Sequence, residues 1–170
     1  SAIFSPDGNR ILTAAGDFVA KLWNTEGKLM ADLVGHTASI YSATFSSDGT
    51  QMLTIANDNT AKLWNAKGTL MADFMGHEGS VYSAVFSSDE SQILTASEDN
   101  TAKLWNTKGE LITNFVGHTA SLYSAVFSLD GSQILTASED NTAKLWNAKG
   151  VLIADFAGHT AGVYSVLFSP

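Results

Sequence analysis

The chain has 170 residues, enough for one domain with a real core, and its 45% hydrophobic and 15% charged content excludes a disordered segment. No apolar run is long enough to span a bilayer, no basic-then-apolar signal segment opens the chain, and the first residue is Ser1 rather than Met, as expected of a processed or excised piece. Cysteine is absent, which excludes disulfides and thiolate metal sites and leaves the cytoplasm as the default compartment, while a formal net charge of −8 disfavours nucleic acid and anionic membrane as partners.

Internal repetition dominates the sequence. Leu-Trp-Asn begins at Leu22, Leu63, Leu104 and Leu145, and Gly-His at Gly35, Gly76, Gly117 and Gly158, each 41 positions after the last. Phe4, Phe45, Phe86, Phe127 and Phe168 keep the same step. The units are therefore about 1–41, 42–82, 83–123 and 124–164, with 165–170 starting a fifth inner strand.

In chain order, Ser1–Pro6 reads as the second half of an innermost strand, since Ser165–Pro170 occupies the same register. The first unit then departs from the others, with Asp17-Phe18-Val19 where they read Asp-Asn-Thr. Asn accepts a left-handed turn far better than Phe does. Either that turn has a different shape, or Phe18 is an exposed apolar contact. In the second unit four strands are predicted, over residues 40–46, 51–56, 60–65 and 69–75. Ser-Ser-Asp-Gly, Asn-Asp-Asn and Asn-Ala-Lys-Gly separate them as turns. Strand starts about every ten residues predict an all-β sandwich, barrel or propeller. In the third unit the fourth strand alternates, Leu111, Thr113 and Phe115 against Ile112 and Asn114. No window carries a helical apolar stripe.

Each full unit holds a His, a Thr, an Asp and a Trp at fixed offsets: His36, Thr54, Asp58, Trp64; His77, Thr95, Asp99, Trp105; His118, Thr136, Asp140, Trp146. Such a trio can be nucleophile, base and orienter. A catalytic constellation need occur only once, however, and recurrence in every period suits a device that builds each unit. The histidines, 41 residues apart, fall on separate units and are not expected to share a metal ion. No cofactor is expected.

Four strands per unit, a period near 40, and Gly-His followed by a Trp motif resemble the WD-repeat family, with Trp-Asn (Asn24, Asn65, Asn106, Asn147) where the family has Trp-Asp. The resemblance covers essentially the whole chain. It implies four four-stranded antiparallel blades of a β-propeller and a hydrogen-bonded network of each His, Thr, Asp and Trp. Buried indole N–H needs an acceptor, a Thr hydroxyl can accept it while donating to His, and Asp can fix the imidazole tautomer. It also places on the narrow top face Tyr41, Tyr82, Tyr123 and Tyr164, the preceding Ser39, Ser80, Ser121 and Gly162, and Gly16, Asn57, Glu98 and Glu139. Tyrosine suits an interface because it offers apolar area, a polar tip and few torsions to freeze; packing around the central channel is the competing role.

The functional expectation is a non-catalytic scaffold that offers its top face, with Phe18 as a further contact, to a protein or peptide. Nine differences between Ser83–Tyr123 and Ser124–Tyr164 are mostly small swaps, so no unit carries a unique site of the kind an enzyme or glycan binder needs. The alternative is a self-assembling module. Thr13, Asp17 and Trp23 lack a preceding His, and His159 lacks the residues that should follow. The His36–Thr54 interval, counted on from His159 and taken four periods back, falls on Thr13. Four blades alone would need wedges of about 90°, against about 45° for eight. The expectation is a two-fold dimer closing an eight-bladed ring, with residues after Gly158 supplying the inner strand of the other copy's first blade while Ser1–Ser5 fray; the main alternative is an excerpt of a longer single-chain array whose further blades complete the ring.

Overall fold

Short runs of Val, Ile, Leu and Ala broken by Asp/Asn-Gly turns can bury themselves only as small sheets stacked face to face. A computed structural model describes residues 1–169, in which sixteen strands form four antiparallel sheets and no helix occurs. The first blade is β1 (Ala2–Phe4), β2 (Arg10–Ala14), β3 (Val19–Asn24) and β4 (Leu29–Val34). The second is β5 (Ile40–Phe45), β6 (Gln51–Ala56), β7 (Ala61–Asn65) and β8 (Leu70–Phe74). The third is β9 (Val81–Phe86), β10 (Gln92–Ser97), β11 (Thr101–Asn106) and β12 (Leu111–Val116); the fourth is β13 (Leu122–Phe127), β14 (Gln133–Ser138), β15 (Thr142–Asn147) and β16 (Leu152–Ala157). Strands follow one another in order within every blade. These are blades of a β-propeller.

The cores lie between blades. Leu12, Leu22 and Leu33 of the first pack on Ile40, Phe45, Met52 and Trp64 of the second. Leu53, Leu63 and Phe74 meet Val81, Ile93 and Trp105, and Leu94, Leu104 and Phe115 meet Leu122, Ile134 and Trp146. Each blade presents the face of its second strand to the first strand of the next, β2 to β5, β6 to β9 and β10 to β13. The series is an arc, with no such packing of the fourth blade back on the first among the described residues.

Three local features bear on the sequence expectations or add to them. The Asp17-Phe18 turn keeps the shape of the others: Phe18 has φ 69°, beside 66° at Asn59, 68° at Asn100 and 71° at Asn141. A different turn is thereby excluded. Phe18 adopts a conformation that penalises its Cβ, and its ring is exposed. Second, Ser1–Ser5 does not fray. β1 pairs with β2 in the register Ala2↔Thr13 and Ile3↔Leu12, the Ser1 ammonium donates to the Ala14 carbonyl, and the first blade's inner slot is filled by its own chain. Residues 158–169 form no strand, and Pro170, the last position of the expected fifth inner strand, lies outside the described residues. Third, Glu90 occupies with φ 58° the turn position held elsewhere by Gly8, Gly49 and Gly131. Its carboxylate accepts from the Ser47 hydroxyl (2.5 Å) and the Asp48 N–H (3.2 Å), tying that turn to the preceding blade.

Candidate functional site

In the second blade β6 and β7 set Thr54 and Trp64 side by side, and the loop leaving the first blade drops His36 against them. Trp64 Nε1–H donates to Thr54 Oγ1 (2.8 Å), the Thr54 hydroxyl lies 2.8 Å from His36 Nε2, and His36 Nδ1 lies 2.8 Å from Asp58 Oδ2. Only one proton arrangement satisfies the chain: the hydroxyl donates to Nε2 and Nδ1–H donates to the carboxylate. Asp58 also accepts the Thr37 N–H (2.8 Å) and the Thr60 hydroxyl (2.8 Å). Trp105–Thr95–His77–Asp99 and Trp146–Thr136–His118–Asp140 repeat it with every link between 2.7 and 2.9 Å. Thr54, Thr95 and Thr136 are 0% exposed. A hydroxyl sealed in that way cannot meet a substrate carbonyl.

The first blade holds half of the set. Trp23 donates to Thr13 (2.9 Å), but no histidine meets the Thr13 hydroxyl, which keeps only the long contact to the Lys21 carbonyl (3.4 Å) that Thr95 and Thr136 also make to Lys103 and Lys144 (3.3 Å), and Asp17 accepts only the Val19 N–H at 3.4 Å. His159 is exposed and makes no hydrogen bond among the described residues.

Burial is the chief force lowering the His36 and His118 pKa values below the ordinary 6.5, against the Asp58 and Asp140 carboxylates that oppose it. Both imidazoles are therefore neutral at pH 7. Burial works to raise the Asp58, Asp99 and Asp140 carboxyls, but the hydrogen bonds they accept outweigh it and hold all three below the usual carboxylate range. An acid-induced loss of stability in two stages follows. His36 and His118 bind protons more readily unfolded, so their contribution is complete above about pH 6.5 and declines as pH falls toward the lower folded values, by up to about 1.4 kcal/mol per pH unit for each. The three carboxylates contribute above the ordinary value of 3.8, and that is lost as pH falls further. Urea unfolding midpoints should be level from pH 8 to 7 and fall from 6.5 downward; a midpoint that rises between pH 7 and 5 contradicts this.

Sequence reading missed a second repeated contact. Lys21 pairs with Asp32 and Lys144 with Asp155 at 2.5 Å, Lys62 pairs with Asp73, and Lys103 donates to Asn114 (3.1 Å), all across the third and fourth strands of a blade. The Lys of Ala-Lys-Leu-Trp recurs every 41 residues, and that recurrence was the available signal.

On the top face, the carbonyls of Ser39, Ser80 and Ser121 accept the N–H groups of Asn57, Glu98 and Glu139 (2.9–3.0 Å), so these serines fasten one loop to the next, while the Asn57, Glu98 and Glu139 side chains are exposed. The tyrosines are set by β-bulges. Pairing slips between Ile40 and Ser42, Val81 and Ser83, and Leu122 and Ser124, leaving Tyr41, Tyr82 and Tyr123 as the unpaired residues. A bulge re-aims a side chain out of the pleat. The rings meet their neighbours from blade to blade: 5.7 Å between centroids for Tyr41–Tyr82, 5.7 Å and 23° for Tyr82–Tyr123, and 4.9 Å for Tyr123–Tyr164. Packing and exposure coexist, since Tyr41 is 58% and Tyr164 68% exposed at the ends of this ladder.

Four antiparallel blades, of which the second, third and fourth each carry a complete Trp–Thr–His–Asp network, define a propeller built from tandem repeats. The chain matches the WD domain, G-beta repeat, four times, over residues 1–24, 27–65, 68–106 and 109–147. It belongs to the WD40-repeat family. No curated protein matches it. The three complete matched units begin before the fourth strand of one blade and end with the third strand of the next, which is why the histidine leaving one blade completes the network of its successor.

Proposed function

We propose that the chain is a non-catalytic protein-interaction scaffold whose working surface is the top face around the tyrosine ladder. WD40 repeats generally mediate protein–protein contacts. The observation that carries the reading is the contrast between two groups of side chains: the Thr-His-Asp sets are sealed and fully hydrogen-bonded, whereas the tyrosines are rigid, aromatic and partly open. Replacing Tyr82 and Tyr123 together with Ala should abolish capture of a protein partner while leaving the melting temperature nearly unchanged. Unaltered capture would move the site to the outer strands or sides, and a large loss of stability would make the tyrosines core.

A second reading, compatible with the first, is supported by the two ends of the arc. At each inner junction an apolar residue of one blade's fourth strand (Leu33, Phe74 or Phe115) is covered by the next blade. Gly35, Gly76 and Gly117 sit close against the next blade's tryptophan, while Gly158 meets nothing within 4 Å and Phe156 is 51% exposed. What the fourth blade offers (Phe156, Gly158, His159) is what the first blade lacks beside Trp23, Thr13 and Asp17. We propose that two copies close an eight-bladed ring by packing these faces together, each first blade keeping its own β1.

A further inference from the structure

The charges are divided unevenly between the two ends of the blades. The loops on the top face carry seven of the seventeen acidic residues (Asp17, Asp58, Glu78, Glu98, Asp99, Glu139, Asp140) and none of the nine Lys and Arg residues. The rest of the chain carries ten acids against nine bases, so almost the whole net charge of −8 is concentrated where the tyrosines lie. The buried histidines there do not offset it. His36 and His118 are neutral, and the three aspartates are held ionised by the hydrogen bonds they accept.

Within this field the ladder has a definite polar neighbourhood. The Glu98 and Glu139 backbone N–H groups are bonded to the Ser80 and Ser121 carbonyls (2.9 Å each), two residues before Tyr82 and Tyr123, which sets both exposed carboxylates on the loops beside the ladder. Burial first and then the Glu98 and Glu139 charges raise the Tyr82 and Tyr123 pKa values. Glu98 is steadied by the Ser80 N–H (3.4 Å), and the Glu139 backbone by the close approach of Gly162. Beneath Tyr82, between β5 and β9, a cleft of about 120 Å³ is lined by Tyr82 itself with Ser42, Thr44, Leu53, Ile55 and Ser83, and by no Asp, Glu, Lys, Arg or His side chain. The carboxylates and the π faces therefore lie at the rim and not inside the cleft. Both attract a cation and repel phosphate or an acidic peptide.

Resting on the top-face reading above, we propose that the tyrosine ladder with Glu98 and Glu139 is a receptor for an arginine side chain of the partner, and that the segment it takes is arginine-bearing and poor in acids. Arginine fits better than lysine for two reasons. Its planar guanidinium lies flat on a tyrosine face, and its forked donors match a carboxylate in pairs, whereas an ammonium is a strongly hydrated point charge. Tyr82 and Tyr123 stack too closely to admit a ring or guanidinium between them, so the cation lies on the open face of the ladder and bridges to a glutamate.

The test titrates the full chain with a blocked Gly-Ser-Gly-Arg-Gly-Ser-Gly peptide and its Lys and Gln counterparts, followed by NMR of the tyrosine ring signals. The Arg peptide should bind, more tightly than Lys and at least roughly tenfold more tightly than Gln. E98Q/E139Q should weaken it by roughly tenfold and flatten its salt dependence. Y82F/Y123F should retain binding through the ring face, and Y82A/Y123A should lose it. No binding of the Arg peptide, equal binding of the Gln peptide, or indifference to E98Q/E139Q would each overturn the receptor. If Y82A/Y123A still abolishes partner capture in that event, the top face stands as the working surface and only the ligand class is wrong.

Discussion

Replacing Trp105 with Ala should cost about 3–5 kcal/mol of folding stability, the range for removing a buried aromatic and leaving its cavity. Trp105 is 1% exposed, packs on Phe74 at 5.8 Å and on His77 at 6.1 Å, and fills the space left by Gly76, where an added Cβ would lie 3.2 Å from the indole. The substitution also leaves the Thr95 hydroxyl, fully buried, without its indole donor. For a domain of this length the melting temperature should fall by on the order of 10 °C. Trp23 gives an internal comparison: it makes the same bond to Thr13 but is only half-buried and has no histidine, so Trp23→Ala should cost clearly less. Equal losses in the two variants, measured by thermal unfolding, would mean that the inter-blade junction adds nothing to the indole's worth.

Replacing Phe156 with Asp should convert a two-copy ring to single chains. Phe156 occupies the position of Phe74 and Phe115, which are 0% and 1% exposed because the next blade's tryptophan covers them, at 5.8 and 6.0 Å. Covering Phe156 with Trp23 of a second copy would return roughly 1.5–3 kcal/mol for each large side chain buried, twice over in a two-fold ring. A carboxylate there is desolvated without a partner and reverses that gain. Since Phe156 is already half in solvent in the single chain, Phe156→Asp should leave the β circular-dichroism signal of the blades intact. Loss of that signal would show that the residue supports its own blade.

The 41-residue period made the four blades and the offsets of His, Thr, Asp and Trp legible, because the network uses residue types few other roles demand at one spacing. The strand bounds for the second unit coincide with those of β5, β6, β7 and β8 at four of the eight ends and differ by one residue at the other four. A period, however, records identity and not register. It could not show that Tyr41, Tyr82 and Tyr123 are bulge residues, nor that Lys62 and Lys144 reach across to Asp73 and Asp155, since both depend on which residue faces which across a ladder. Phe18 shows the opposite limit. Local preference argues against a left-handed Phe, and the turn shape imposed by the surrounding strands prevails at the cost of strain. The occupied slot beside β2 was hidden for a related reason: two segments of equivalent sequence, Ser1–Pro6 and Ser165–Pro170, fit it, and chain continuity with β2 favours the nearer.

That the half-network at Trp23, Thr13 and Asp17 and the half-network at His159 are one network divided between copies is the claim on which a closed ring, and a closed circle of tyrosines above it, depends. The most direct test is the mass of the native particle in solution together with NMR contacts between the His159 ring and the Trp23 indole. The two-copy ring predicts a particle of about twice 18.0 kDa in which the His159 ring gives NOE contacts to the Trp23 indole of the other copy. A stable particle of 18.0 kDa in which the His159 ring shows no contact to a Trp23 indole would contradict it.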